Sequence, residues 1–207
     1  MPAIHLSGNY NLTYVQIPKT AGTSVGHWIK ANAGDSVCTE WYNHPTPSVI
    51  LSTAQKNFSF TIVRNPWERI VSLYFFLKNY ESPHPQYKEV QTGLRKMLYS
   101  TNNYVEFPSF DNWLKNSEQF VSLPWIWWKL NTPQTTWTDV DLIIKYENLD
   151  TEFQVIRDML KCNDPLPNQT VTKGIHWQDY RNHYTDETKK IVADMFAEEI
   201  ELWKYLF

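Results

Sequence analysis

A polar loop at residues 17–24, with the sequence IPKTAGTS, has the composition of an anion-binding site. It follows a β-rich run at residues 12–17 and precedes a helical pattern that begins at about Thr23. The N-terminus of a helix presents unpaired N–H groups and a partial positive charge, so anions bind there. Gly22 lets the backbone approach an anion closely, and Lys19 adds a mobile cation. The loop is therefore predicted to bind a phosphate-like group, with hydroxyl donors from Thr20, Thr23 and Ser24; the alternative is a polar strand-to-helix turn that binds nothing.

The loop differs from the phosphate loop of nucleotide kinases. That motif requires a glycine, four further residues and then Gly-Lys-Ser/Thr, whereas Lys19 precedes Gly22 here. A nucleotide or small-molecule kinase would therefore need an atypical phosphate loop, and it would also need Mg²⁺. We keep this enzyme class as an alternative.

A second candidate anion site lies at Arg64 and Ser72. Arg64 follows a predicted strand at residues 58–63, and Ser72 falls in the helix that comes next. Ser72 is seven residues after Asn65, so the two share one stripe of that helix, away from its apolar face. A guanidinium at a strand end and a hydroxyl on the following helix can together hold a phosphate. Taken alone, the pair is more typical of a surface arginine and a neutral helix serine.

The elements around these motifs predict an α/β fold. Strands are expected at residues 12–17, 58–63 and 140–145, and helices are expected after about Thr23, after Asn65, at residues 150–160 and from Thr185 onward. Alternating strands and helices indicate a central parallel sheet flanked by helices, with a helical C-terminal half. Ligands in such sheets bind at the carboxyl ends of the strands, where both motifs fall. We expect one domain, residues 1–207.

Composition excludes several classes of protein. The 207 residues include 19 basic and 22 acidic side chains, a net charge of -3, which argues against binding nucleic acid by bulk charge. Cys38 and Cys162 are too few for a disulfide framework or a zinc site of several thiolates, although one bridge between them is possible. The longest apolar stretch, residues 70–77, is far below the about 18 residues that span a membrane. With no signal-peptide pattern at the start, we expect a soluble, cytoplasmic chain.

Together the two motifs resemble the sulfotransferase family that uses 3′-phosphoadenosine 5′-phosphosulfate (PAPS). The loop is similar to that family's 5′-phosphosulfate loop, and the stretch from Arg64 to Ser72 is similar to its 3′-phosphate motif. The surrounding sequence is closest to the carbohydrate, heparan 2-O-sulfotransferase-like branch, with similar blocks at residues 44–46, 60–76, 145–149 and 184–207. Animal Golgi members are larger and membrane-anchored, so a small soluble bacterial or phage-type member is the better match. The implied fold is P-loop-like, with three layers around the sheet.

The resemblance implies a role for each matching residue. Lys19 would contact the phosphosulfate and stabilise charge on the bridging oxygen, and Thr20, Ala21, Gly22, Thr23 and Ser24 would hold the 5′-phosphate. Arg64 and Ser72 would hold the 3′-phosphate. Lys173 and Gly174 lie in a long loop that could close over the nucleotide, although a solvated loop lysine is equally typical. The motifs contain no metal-ligand cluster, and we expect no metal.

An acceptor hydroxyl also needs a base, and histidine titrates near the working pH. Of six histidines we choose His44, because related enzymes place a catalytic histidine in the corresponding region. An ordinary loop histidine is the alternative. His176 and His183, near the candidate lid, stay open, and Glu40 is a further candidate.

The predicted activity is transfer of the sulfuryl group from PAPS to an acceptor hydroxyl, with a saccharide as the expected acceptor. The transfer would be in line, with a histidine general base, and would release adenosine 3′,5′-bisphosphate. The non-enzymatic alternative is a carbohydrate-binding module on the same scaffold. The aromatic run at residues 125–128 is consistent with a sugar platform, with a packed helix and with an interface patch.

Overall fold

The computed structural model describes residues 3–7, 11–41, 44–51, 58–79, 108–116, 132–167 and 179–207. Within these ranges the strands are β1 (Ala3–Ser7), β2 (Leu12–Val15), β3 (Val37–Trp41), β4 (Phe58–Val63) and β5 (Leu142–Lys145). The α-helices are α1 (Gly22–Ala31), α2 (Pro47–Leu51), α3 (Pro66–Asn79), α4 (Phe110–Lys115), α5 (Leu149–Glu152), α6 (Gln154–Met159), α7 (Asp186–Met195) and α8 (Ala197–Trp203). Short 3-10 turns cover Gln134–Trp137, Tyr146–Asn148 and Tyr180–His183. None of the helices in these ranges is both long and apolar enough to cross a bilayer.

The chain divides into two compact units. The first comprises residues 1–65 and 133–171, and the second comprises residues 66–132 and 172–207. The whole described sheet belongs to the first unit, together with α1, α2, α5 and α6. Helices α3, α4, α7 and α8 belong to the second unit.

The sheet has five strands in the order β3-β1-β2-β4-β5. β2 pairs in parallel with β4, and β4 pairs in parallel with β5. The α/β prediction is therefore confirmed, and the strands that lead into the two motifs are parallel as expected. The other two strands differ from a purely parallel sheet, because β1 runs antiparallel to both β2 and β3. Both β1 and β3 are five residues long, and neither is among the strands predicted from the sequence.

One face of the sheet carries the core of the first unit. Alternate residues of the strands point to this face, where they meet the apolar sides of α1 and of the region around α6. Tyr14 stacks on Phe60 with ring centroids 4.9 Å apart, and Trp28 of α1 packs edge-on against Phe153 at 5.0 Å. The buried members are Ile4, Leu6, Leu12, Tyr14, Val25, Trp28, Ile29, Ala33, Phe60, Ile62, Ile144, Phe153, Ile156 and Leu160. This packing fixes α1 against the strand that precedes it.

The opposite face of β2 and β4 is also buried but carries hydroxyl groups. Thr13 and Thr61 are fully buried, and Thr61 Oγ1 donates to the Val15 carbonyl at 2.7 Å. That side-chain bond joins the last residue of β2 to β4 beside the ladder between the two strands. The ends of these two strands are therefore held at a fixed separation.

The second unit is built around α3 and α7. Trp67 Nε1 donates to the Lys189 carbonyl at 3.0 Å, and the Tyr184 hydroxyl donates to the Trp67 carbonyl at 2.8 Å. The helix predicted from Thr185 onward begins as expected, with Thr185 as the N-cap of α7, but the structure divides it at Phe196 into α7 and α8. Thr185 and Thr188 form a reciprocal capping box, in which each side chain accepts from the other residue's N–H.

The cysteines do not form the bridge that the sequence leaves possible. Cys162 is a free thiol, and its Sγ donates to Asn32 Oδ1 at 2.7 Å. The contact ties the segment after α6 to the end of α1.

We predict that Trp28→Ala lowers the free energy of unfolding by about 3–5 kcal/mol, because it removes a fully buried ring and leaves a cavity. It also leaves the Asp164 carbonyl, which accepts from Trp28 Nε1 at 2.7 Å, without that donor. Urea unfolding measures the change. Leu206→Ala, at a side chain 81% exposed, should change stability by less than about 0.5 kcal/mol. Equal losses in the two variants would contradict this description of the core.

His5 makes stability depend on pH. Its ring is buried, Nδ1 is hydrogen-bonded to Thr13 Oγ1 at 2.9 Å, and burial lowers its pKa. Since the unfolded state then binds the proton more readily, His5 stabilises the fold fully above about pH 6.5, and this contribution is lost as the pH falls below that value. His5→Gln should therefore show a smaller loss of stability between about pH 7.5 and about pH 5.5 than the parent chain. His27→Gln, on an exposed position of α1, is the control and should follow the parent.

Candidate functional site

The loop after β2 is held in a strained conformation by its own residues. Lys19 and Ala21 have positive φ values of 69° and 67°. Non-glycine residues in this region cost about 1–3 kcal/mol each and persist where surrounding contacts enforce them. Thr20, between them, is fully buried, and its hydroxyl donates to the Ile17 carbonyl at 3.0 Å. In this conformation the Thr20 hydroxyl stabilises the loop itself.

Helix α1 begins at this loop without a side-chain cap. Ala21 occupies the N-cap position and makes no side-chain capping hydrogen bond. The Ala21 carbonyl accepts from the Val25 N–H at 3.1 Å, and this is the first hydrogen bond of the helix. Thr23 is half-buried and Ser24 is buried in that first turn. The N-terminus of the ten-residue helix α1, which is the positive end of its dipole, therefore lies at the loop where the sequence predicts an anion site.

Gly22 is required by the packing of Gln16. A Cβ at position 22 would run into the Gln16 carboxamide. Gln16 is buried, and its Oε1 has no hydrogen-bond partner among the described residues. The sequence explains Gly22 by the approach of a ligand, whereas the structure shows that a neighbouring side chain already occupies the space beside it.

Arg64 brings the second motif to the loop. It follows β4 and is only 6% exposed, and its Nη1 donates to the Lys19 carbonyl at 3.2 Å. The guanidinium carbon lies 4.1 Å from the centre of the Tyr146 ring, a cation–π distance. The two motifs, 45 residues apart in sequence, are therefore in direct contact.

The backbone of Arg64 and Asn65 is fixed by two side chains from the region around β5. The Arg64 N–H donates to Gln134 Oε1 at 2.9 Å, and Gln134 Nε2 donates to the Arg64 carbonyl at 2.9 Å. The next N–H, of Asn65, donates to Glu147 Oε1 at 2.6 Å.

His44 lies beside the loop with its ring orientation defined. The Gln16 carbonyl is 3.0 Å from His44 Nδ1, and since a carbonyl only accepts, Nδ1 carries the proton. In the neutral ring the lone pair is then on Nε2. The His44 carbonyl accepts from Trp137 Nε1 at 3.1 Å, and the residue has a positive φ of 51°. His44 is half-buried.

Other predicted site residues lie elsewhere or outside the described ranges. Ser72 lies in α3 of the second unit and is buried, and its pairing with Arg64 around a phosphate stays a prediction. Lys173, Gly174, His176 and residues 125–128 lie outside the described residues. His183 belongs to the second unit, where its ring packs against Phe75 at 5.0 Å and burial lowers its pKa. Glu40 lies in β3. In the part of the chain that is described, no three His, Cys, Asp or Glu side chains are grouped as metal ligands.

Sequence reasoning missed five residues that build this site: Gln16, Gln134, Trp137, Tyr146 and Glu147. Tyr146 and Glu147 fall inside the block at residues 145–149 that carries part of the resemblance, so a signal was present for them. Gln134 and Trp137 fall in a segment with no periodic pattern, and their roles depend on bonds that span 70 and 93 residues.

We predict that Gly22→Ala destabilises the protein, although alanine in a helix normally gains about 1 kcal/mol over glycine. The added methyl must displace the buried Gln16 carboxamide. In a Gln16→Ala background the same change should become neutral or stabilising, with a coupling of about 1 kcal/mol or more in a double-mutant cycle measured by urea unfolding. A stabilising Gly22→Ala in both backgrounds would show that the two side chains do not compete.

Comparison with known proteins places this chain in a family. No curated protein sequence matches the chain. Among solved structures, the crystal structure of mouse sulfotransferase SULT7A1 complexed with PAP is similar, with 13% identity, 95% of this chain and 85% of that chain covered, and a TM-score of 0.46. Residues 2–206 match the model of the sulfotransferase family. Because that match spans nearly the whole chain, the protein belongs to the sulfotransferase family and is a transferase of that type.

Proposed function

We propose that the protein transfers the sulfuryl group of PAPS to an acceptor hydroxyl and releases adenosine 3′,5′-bisphosphate. The observation that carries the proposal is the hydrogen bond from Arg64 Nη1 to the Lys19 carbonyl. It places a buried guanidinium against a helix N-terminal loop, so two separate anion-binding groups adjoin each other. A donor with one phosphate at each end of its ribose needs that combination.

The residues present fit a doubly phosphorylated nucleotide. The uncapped first turn of α1 offers N–H groups, and Lys19 beside it offers a cation for the 5′-phosphosulfate. Thr23 and Ser24 add hydroxyls, while Thr20 and Ala21 would act through their backbone, because the Thr20 hydroxyl is bonded to Ile17.

The 3′-phosphate is assigned to Arg64, whose planar guanidinium can donate two parallel bonds to it. The resemblance in sequence adds Ser72 to this group and adds Lys173 and Gly174 as residues that cover the nucleotide.

PAPS supplies a sulfuryl group already activated by its phosphate leaving group, so the protein's task is positioning and charge stabilisation. Lys19 stabilises the negative charge that develops on the leaving oxygen. His44 Nε2 accepts the proton of the acceptor hydroxyl, since Nδ1 is protonated and bonded to the Gln16 carbonyl. That same bond stabilises the imidazolium that forms. None of these roles requires a metal ion.

The acceptor is proposed to be a carbohydrate hydroxyl. Support comes from the sequence blocks that resemble the heparan 2-O-sulfotransferase-like branch, including residues 44–46 around His44. Incubation with labelled PAPS and a panel of glycans and small metabolites tests this, and label appearing only on non-sugar hydroxyls would contradict it. Added EDTA should leave transfer unchanged, whereas a Mg²⁺-dependent kinase would stop.

We predict that Arg64→Ala weakens binding of adenosine 3′,5′-bisphosphate by about 10- to 100-fold, the effect of losing charge-assisted hydrogen bonds. Isothermal titration calorimetry measures the Kd. Lys30→Ala, at an exposed position near the end of α1, removes the same charge and should change the Kd by less than about twofold. If the folded parent chain bound no adenosine 3′,5′-bisphosphate, the proposed function would be wrong.

We predict that His44→Ala lowers turnover of labelled PAPS by about 10²- to 10⁴-fold, the usual contribution of a general base, while the nucleotide Kd stays close to that of the parent. Lys19→Ala should also lower turnover severely, because it removes charge stabilisation at the leaving group. Full activity in His44→Ala would show that another residue is the general base.

A further inference from the structure

The short turn at Gln134–Trp137 contacts two groups of the proposed site at once. Gln134 and Trp137 are both fully buried, although each carries polar N–H groups, and Thr136 between them is exposed. A buried polar group costs free energy unless it is hydrogen-bonded, so its partners are strongly specified. The partners of this turn are backbone atoms of Arg64 and His44.

Gln134 fixes the backbone orientation of Arg64, the residue that follows β4. Its carboxamide makes two bonds of 2.9 Å to the N–H and the carbonyl of the same residue. A single hydrogen bond would leave the Arg64 backbone free to rotate about that bond. Two hydrogen bonds, one on each side of the Cα, define the orientation of the backbone. The guanidinium at the end of that side chain then reaches the Lys19 carbonyl.

Trp137 holds the backbone of His44. Its indole N–H donates to the His44 carbonyl, while the His44 ring donates to the Gln16 carbonyl. The histidine is thus bonded through its backbone and through its ring to two different segments. Its left-handed backbone, with φ of 51°, is a conformation that needs such support.

These hydrogen bonds connect the loop, His44, the Gln134–Trp137 turn and Arg64 in a ring of contacts. Gln16 bonds to His44, His44 to Trp137, Gln134 to Arg64, and Arg64 to Lys19, which is three residues from Gln16. We infer that the Gln134–Trp137 turn is the positioning element of the sulfotransferase site: Gln134 orients Arg64 for the 3′-phosphate, and Trp137 orients His44 for the acceptor hydroxyl. This inference rests on the proposed function. Gln134 and Trp137 act through their partners and are positioning residues.

The first arm of the test uses Trp137→Phe, which keeps an aromatic ring and removes the N–H donor. Two-bond ¹H–¹⁵N NMR of the histidine side chains reports the tautomer of His44. We expect the parent to show Nδ1 protonated and Trp137→Phe to show a mixture, with turnover of labelled PAPS lowered by about tenfold or more and the Kd of adenosine 3′,5′-bisphosphate within about twofold.

Trp28→Phe is the matched control for that arm. Trp28 is also buried in the first unit, and its Nε1 also donates to a backbone carbonyl, that of Asp164. The Trp28→Phe variant should be less stable than the parent, but its His44 tautomer and its turnover should be unchanged. If both variants lost turnover in proportion to stability, or if Trp137→Phe kept the His44 signal and full turnover, the role of Trp137 would be overturned.

The second arm uses Gln134→Met, which keeps the length of the side chain and removes both bonds to Arg64. We expect the Kd of adenosine 3′,5′-bisphosphate to rise by about tenfold in the parent background, and we expect Gln134→Met to cause no further loss in an Arg64→Ala background. Thr136→Ala, in the same turn, should leave it unchanged. Gln134→Glu, which keeps only the acceptor oxygen, serves if the methionine variant does not fold. A folded Gln134 variant with the parent's Kd would overturn the role of Gln134.

The two ideas fail in different ways. Absence of nucleotide binding by the parent chain would contradict the proposed function. The NMR signal of His44 in Trp137→Phe would still report whether the turn positions the histidine, because that measurement needs no nucleotide.

Discussion

The site depends on one hydrogen bond, from the Arg64 guanidinium to the Lys19 carbonyl. It spans the ends of two parallel strands, β2 and β4, whose ladder and Thr61 side-chain bond set the distance that the arginine must cover. Tyr146 covers the guanidinium, and Gln134 fixes its backbone. A buried cation is costly unless it is compensated, so these contacts explain how Arg64 stays beside a positively polarised loop. An anion that contacts both groups would relieve the repulsion between them.

The rest of the first unit keeps that arrangement rigid. Lys19, Ala21 and His44 all have left-handed backbones, a concentration of strain that is typical of functional sites. The compensation comes from packing, since Trp28 of α1 and Tyr14 of β2 lie in one apolar core on either side of the loop. Because the loop connects two elements that are themselves fixed, its conformation is held by the protein's own packing.

The chemistry of this chain is more visible in its sequence than the framework that supports it. The loop at residues 17–24 and Arg64 have strong local signals: small polar residues between a strand and a helix, and a basic residue at a strand end. The antiparallel strands β1 and β3 are not among the predicted strands. Gln134 and Trp137 have no local signal, since their hydrogen bonds are to residues far away in sequence.

The central claim is that the two turns bind opposite ends of one nucleotide, and a ligand cycle tests it most directly. Calorimetry of the parent chain and Arg64→Ala with adenosine 3′,5′-bisphosphate and with adenosine 5′-monophosphate separates the two ends. If Arg64 binds the 3′-phosphate, Arg64→Ala weakens binding of the bisphosphate and leaves binding of the monophosphate nearly unchanged, so that the preference between the ligands disappears. Equal weakening of the binding of both ligands would contradict this assignment, because Arg64 would then not bind the 3′-phosphate.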